Sequence, residues 1–166
     1  MLGKDDEEEA DVNRILIATD GSPSAVEALE FGLDLAGEEE AEAVVVHVVR
    51  SIDPLPVGGF GMAYGAVSHE VTSADREPLE QAVELAAEKG LPVTTELLCG
   101  STVPEITAYA DHIDADLIVI GSRGHGMLTT ALLGSVSLGV LHNARRPVLV
   151  FRHARVPEVE ATAAAT

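Results

Sequence analysis

The segment Ala43 to Val49 is apolar at every position but His47, and this limits the fold more than any other feature of the chain. A strand with one wet face alternates apolar and polar residues, whereas a strand that is apolar throughout must be covered on both faces. Four other segments of strand length, Ile15 to Thr19, Val93 to Leu98, Leu117 to Ile120 and Val148 to Phe151, alternate with segments of helical period. Strict alternation of this kind is the pattern of a parallel sheet joined by crossover helices. The expected fold is α/β, an open doubly wound five-stranded parallel sheet in the order 3-2-1-4-5 with four crossover helices, Rossmann-like in outline.

The helices carry their own start and stop signals. Ser22 caps the first and Pro23 fits its first turn; Val26, Leu29, Leu33 and Ala36 share one face, and Gly37 is expected to end it. Leu79, Ala82, Val83 and Ala86 mark the second, which closes near Gly90 and tolerates Pro78 only in its first turn. Thr102-Val103-Pro104-Glu105 reads as a capping box opening the third. The fourth runs from about Ser135 to Asn143. The acidic run at residues 1–12 is too polar to bury and residues 153–166 lack strong periodicity, so both ends are expected to be loose around a single domain at 13–152. A glycine- and proline-rich connection, Arg50 to Ser68, follows the second strand, and its Gly58-Gly59-Phe60-Gly61 reads equally as a lid or as slack.

Twenty-eight acidic against ten basic residues give a formal charge of −18. Such a chain repels nucleic-acid phosphates and anionic membrane surfaces, so neither is expected as a partner. Only Lys4 and Lys89 supply ammonium groups, and the lone Cys99 has no partner for an intrachain disulfide. No apolar run approaches the roughly 20 residues that cross a bilayer, and no basic start followed by an apolar stretch marks a signal peptide. The cytoplasm is the expected compartment. Like charges repel across the folded surface at low ionic strength, and the Debye length falls from about 10 Å at 0.1 M salt to about 3 Å at 1 M. A salt-rich cytosol is one expectation from this balance, and ordinary acidic solubility is the other.

In open parallel sheets ligands sit at the carboxyl ends of the strands, where the strand order reverses. Two loops of unusual composition leave strands there: Asp20-Gly21-Ser22 after the first, and Gly121-Ser122-Arg123-Gly124-His125-Gly126 after the fourth. The order 3-2-1-4-5 sets them side by side. Beyond Gly124, nine residues lead to Gly134-Ser135 at the start of the fourth helix. Glycines let backbone N–H groups approach phosphate oxygens closely, and a helix N-terminus adds unpaired N–H groups and a favourable dipole end.

The string GSRGHGMLTTALLGSVS resembles the ATP-binding signature of the universal stress protein family, a glycine, two residues, a glycine, nine residues, then glycine with serine or threonine. ILIATDGS, VVVHVV, ADLIVIGSRG and RRPVLVF resemble the same family's landmarks in the same order, from about Asn13 to Arg152. The resemblance implies an adenine nucleotide, ATP or else ADP or AMP, in the Rossmann-like frame. It places Asp20 by the ribose and phosphates, where a magnesium or manganese ion could join it, and the backbone of Val48 at the adenine edge. It sets Gly121, Gly124, Gly134, Ser135 and Val136 around the ribose and phosphates, with Ala18, Thr19 and Ile120 walling the pocket. Arg123 and His125 lie in the phosphate loop, where they could meet a γ-phosphate or face solvent. Family members pair through their last strand, and Val148 to Phe151, a short apolar edge strand, is expected to form a homodimer in the same way.

Other motifs fail. Gly124-His125-Gly126 opens like a dinucleotide fingerprint, but Thr129 stands where its third glycine is required. No GxxxxGK[ST] exists, and the six histidines show no metal-ligand spacing. Phosphoryl transfer needs an in-line nucleophile and strong neutralisation of γ-phosphate charge, and this loop offers glycines, one arginine and one histidine. The first expectation is accordingly a nucleotide-dependent regulator in a stress response. The alternatives are a slow ATPase or an enzyme that phosphorylates itself on Ser135 or Ser137, and a structural partner protein stabilised by its nucleotide.

Overall fold

The computed structural model describes residues 11–50, 71–124 and 133–152. Nine elements follow one another there: β1 (Arg14–Ala18), α1 (Pro23–Glu38), β2 (Glu42–Val49), α2 (Glu77–Glu88), β3 (Val93–Cys99), α3 (Thr102–His112), β4 (Leu117–Gly121), α4 (Ser135–Asn143) and β5 (Val148–Phe151). Every strand pairing is parallel and the order is β3-β2-β1-β4-β5, as expected. Residues 1–10, most of the 50–68 connection, His125 and the tail from 153 lie outside the described residues.

Side chains one residue apart along a strand point to opposite faces, and β1 shows the consequence. Ile15 and Ile17 join Val45, Val119, Leu29 and Leu33 of α1, and Leu79 and Ala82 of α2 in one core. Leu16 and Ala18 join Val46, Ile118, Ile106 and Ala110 of α3, and Val140 of α4 in another. Two cores on two faces make a three-layer sandwich, which is why β2 is apolar on both sides.

Two local expectations, the stop of α1 and the cap of α3, are corrected. Gly37 does not stop α1, which runs to Glu38 with Glu39 as its cap. Gly37 instead packs closely, for a β-carbon there would lie 3.2 Å from a methyl of Leu91; the left-handed turn after the helix falls on Glu40 at φ 54°. Val83 is 47% exposed, because α2 rests on the sheet through Pro78, Leu79, Ala82 and Ala86. The cap of α3 is Ser101, one residue before the expected Thr102, and it makes no side-chain capping bond. Gly90, at φ 69°, does follow α2 as expected.

Candidate functional site

The strand order reverses between β1 and β4, and the loops that leave them meet above their carboxyl ends. The β1 ladder closes one residue past the strand, where the Thr19 N–H donates to the Val46 carbonyl at 3.0 Å. The next residues form a tight turn: Gly21 N–H donates to Thr19 Oγ1 at 3.2 Å and Ser22 N–H to Asp20 Oδ1 at 3.0 Å. Ser22, 1% exposed, then caps α1 by accepting from the Ala25 N–H at 3.4 Å. Asp20 thus projects from a turn whose geometry is held at each step by a side-chain oxygen.

Gly121 ends β4 directly beneath the start of α1. A β-carbon there would stand 2.6 Å from the Ser24 carbonyl oxygen, so glycine lets the first turn of α1 sit over the strand. At Gly124 the neighbour is different: a β-carbon would stand 2.4 Å from Asp20 Oδ2. The two loops are therefore in van der Waals contact at the residues expected to meet phosphate.

The glycine-rich loop also closes on itself. Gly134 N–H donates to the Ser122 carbonyl at 2.7 Å, and the Ser137 hydroxyl lies 3.0 Å from that carbonyl and 3.1 Å from the Gly134 carbonyl. The residue after β4 and the residue before α4 are thereby held together, and the nine-residue spacing returns to its own start. Gly134 is the N-cap of α4 and has no side chain to accept the helix's first N–H groups. Those groups and the positive end of the helix dipole suit an anion.

A cavity of ≈ 480 Å³ lies between these loops. Ala18, Thr19 and Asp20 from β1 and its turn, Val48 from β2, Ile120 and Gly121 from β4, Arg123 and Gly124 beyond it, and Gly134, Ser135 and Val136 at the start of α4 all line it. A second groove of ≈ 530 Å³ shares Arg50, Thr102, Ser135 and Val136 with it and continues to Ser101 at the start of α3. The first cavity is within the volume range of small-molecule sites, largely apolar with a few convergent polar groups. Among the described residues, no group of three or more His, Cys, Asp or Glu is placed to hold a metal ion.

The sequence matches the model of the universal stress protein family over residues 12–152. The chain belongs to this family. A universal stress protein of Methanocaldococcus jannaschii is 36% identical over 142 residues, spanning 84% of this chain and 81% of the relative. The universal stress protein YxiE of Bacillus subtilis is 36% identical over 146 residues, spanning 84% and 99%. Among solved structures, the Archaeoglobus fulgidus universal stress protein in complex with dAMP is 26% identical with a TM-score of 0.62, covering 84% of this chain and 98% of that one.

Within this universal stress protein fold, sequence reasoning missed several walls of the cavity, Ala25, Val46, Arg50, Thr102 and Ile106, and named Ser137 only as a phosphate acceptor. Period two along β2 carried the signal for two of them, since Val46, Val48 and Arg50 fall on one face. Thr102 and Ile106 had no such signal. They share a face of α3 at a spacing of four, and they reach the cavity because α3 packs tightly on α4, where a β-carbon at Gly139 would lie 2.7 Å from Val103 Cγ2. Arg50 Nε donates to Thr102 Oγ1 at 3.4 Å, which links the end of β2 to the start of α3.

Proposed function

We propose that the cavity binds an adenine nucleotide, ATP by preference, and that the protein acts as a nucleotide-dependent regulator rather than as an efficient enzyme. One observation carries this reading: residues far apart in sequence, Asp20, Val48, Gly124 and Gly134-Ser135, line one cavity of ≈ 480 Å³. The start of α4 suits a polyphosphate by its unpaired N–H groups and dipole, and the apolar wall of Ala18, Val46, Val48 and Ile106 suits a purine. The dAMP complex of the Archaeoglobus fulgidus relative supports an adenine ligand in this fold. A magnesium or manganese ion would take most of its ligands from phosphate and water, with the Asp20 carboxylate as the acidic group at hand, because hard cations of this kind keep several waters.

The reading of the protein as an inefficient enzyme rests on the polar groups of the cavity. Efficient phosphoryl transfer demands groups that position a nucleophile and neutralise the γ-phosphate, and among the described residues Arg50 and Arg123 are the cationic ones lining this cavity. Slow self-phosphorylation remains a second reading with a specific acceptor. Ser135 is exposed at the cavity wall, whereas Ser137 is 2% exposed with its hydroxyl set against two carbonyls.

The chain is further proposed to form a homodimer through β5, which lies at the sheet edge. Denaturing the purified protein and weighing the released small molecule tests the ligand. An adenine nucleotide supports the reading. No adenine compound released, together with no heat of binding for added ATP, would contradict it. Incubation with γ-labelled ATP then separates the roles: intact ATP over many binding lifetimes marks a binder, and label on Ser135 marks the second reading.

A further inference from the structure

His47 interrupts the otherwise apolar stretch Ala43 to Val49 of β2, and it does not line the cavity. Its parity along the strand is that of Ala43 and Val45, which belong to the core under α1 and α2, whereas Val48 packs on the opposite core. Its Nδ1 lies 2.8 Å from the Thr19 carbonyl oxygen. A carbonyl only accepts, so Nδ1 carries the proton and, in the neutral ring, Nε2 holds the lone pair.

We infer that His47 is a positioning residue for the ligand site: from behind the sheet it clamps the β1 turn that carries Asp20 to the strand that carries Val48. Backbone pairing between β1 and β2 ends with Thr19 N–H to Val46 at 3.0 Å. One peptide later the chain has left the sheet, and the His47 side chain takes over by holding the Thr19 carbonyl. Thr19 Oγ1 in turn accepts from Gly21 and Asp20 Oδ1 accepts from Ser22, so the clamp sets where the Asp20 carboxylate stands relative to Val48. A ligand that touches both strands, as an adenine nucleotide does in the function proposed above, depends on that separation. Free adenine rests on the apolar wall of Ala18, Val46, Val48 and Ile106, where the β1–β2 ladder pairs Ala18 with Val46 without His47, and does not reach Asp20, so it does not.

The amide nitrogen of asparagine occupies nearly the place of Nδ1, whereas that of glutamine reaches toward the place of Nε2. His47→Asn therefore keeps the donor and His47→Gln moves it; His47→Leu removes it. Calorimetric titration of each folded variant with AMP and with adenine makes the comparison. We expect His47→Leu and His47→Gln to bind AMP about five- to tenfold more weakly than the parent, in keeping with one lost hydrogen bond. His47→Asn stays within about twofold on the same scale, and adenine binding is unchanged in all three. If His47→Leu does not fold, the Asn and Gln pair still decides. Equal AMP affinity in parent and Gln variant overturns the inference, as does an Asn variant as weak as Gln. Failure of the parent itself to bind AMP would overturn the proposed ligand instead, and so the two failures are distinguishable.

Discussion

The carboxylate of Asp20 fills the space that a β-carbon at Gly124 would need, with Oδ2 2.4 Å from that position. The two loops expected to meet phosphate are thus fitted to each other before any ligand arrives. A methyl group at Gly124 must push the Asp20 carboxylate aside, and a carboxylate at the end of a side chain can move without unfolding the chain.

Gly124→Ala is accordingly expected to fold and to lose ATP affinity by about tenfold, comparable with loss of one charge-assisted contact. Asp20→Ala should lose a similar amount, and the double variant little more, since both changes act on one group. Losses that simply add would show that Gly124 meets the ligand independently of Asp20.

The edge of β5 can be tested without damaging the sheet. Ile118 N–H donates to Pro147 and Ser122 N–H to Phe151, so residues 147, 149 and 151 turn their backbone groups toward β4, and Val148 and Val150 turn theirs outward. Val150→Pro removes an outward donor and leaves the β4 ladder intact. Light scattering should report a dimer for the parent and a monomer for the variant. A folded variant with the parent's mass would contradict the β5 interface.

Self-repulsion at a formal charge of −18 should be relieved by screening. Between about 0.1 and 2 M potassium chloride, the melting temperature is expected to rise by about 4 °C or more, equivalent to roughly 1 kcal/mol. A flat or falling curve would remove the salt-adaptation reading.

Arg50 lines the cavity and donates to Thr102 at 3.4 Å. If its charge faces the ligand's phosphates, Arg50→Gln should weaken ATP by about three- to tenfold, in line with loss of a charged hydrogen bond, while adenosine affinity stays put. Equal losses for both ligands would assign Arg50 to the wall and not to phosphate binding.

The strand order, the four helices and the loops around the cavity were legible because they follow from local signals: an apolar β2, helical periods between strands, and glycines directly after β4. What stayed hidden depends on how elements approach one another. Gly37 looked like a helix stop, but its lack of a side chain serves Leu91. Gly121 looked like a phosphate contact, and it lines the cavity, yet the atom that demands glycine there is the Ser24 carbonyl. Thr102 and Ile106 enter the site only because α3 and α4 cross closely. His47 read as a break in an apolar run, and its partner, Thr19, is 28 positions away in sequence.

Gly134 N–H closes on the Ser122 carbonyl at 2.7 Å, and the proposed polyphosphate site depends on that closure. Gly134 sits at φ −74°, which any residue adopts, and a β-carbon there would meet Arg123 Cα and the Ser122 carbonyl at 3.4 Å, an ordinary contact. The fold should therefore accept a side chain at Gly134, and Gly134→Val adds branched methyls at a residue that lines the cavity. Titration calorimetry with ATP on the parent and on this variant is the most direct measurement. The proposed site predicts a clear loss in the variant, well beyond the roughly tenfold expected for deleting one hydroxyl in Ser135→Ala. A folded Gly134→Val protein that binds ATP as tightly as the parent would contradict it.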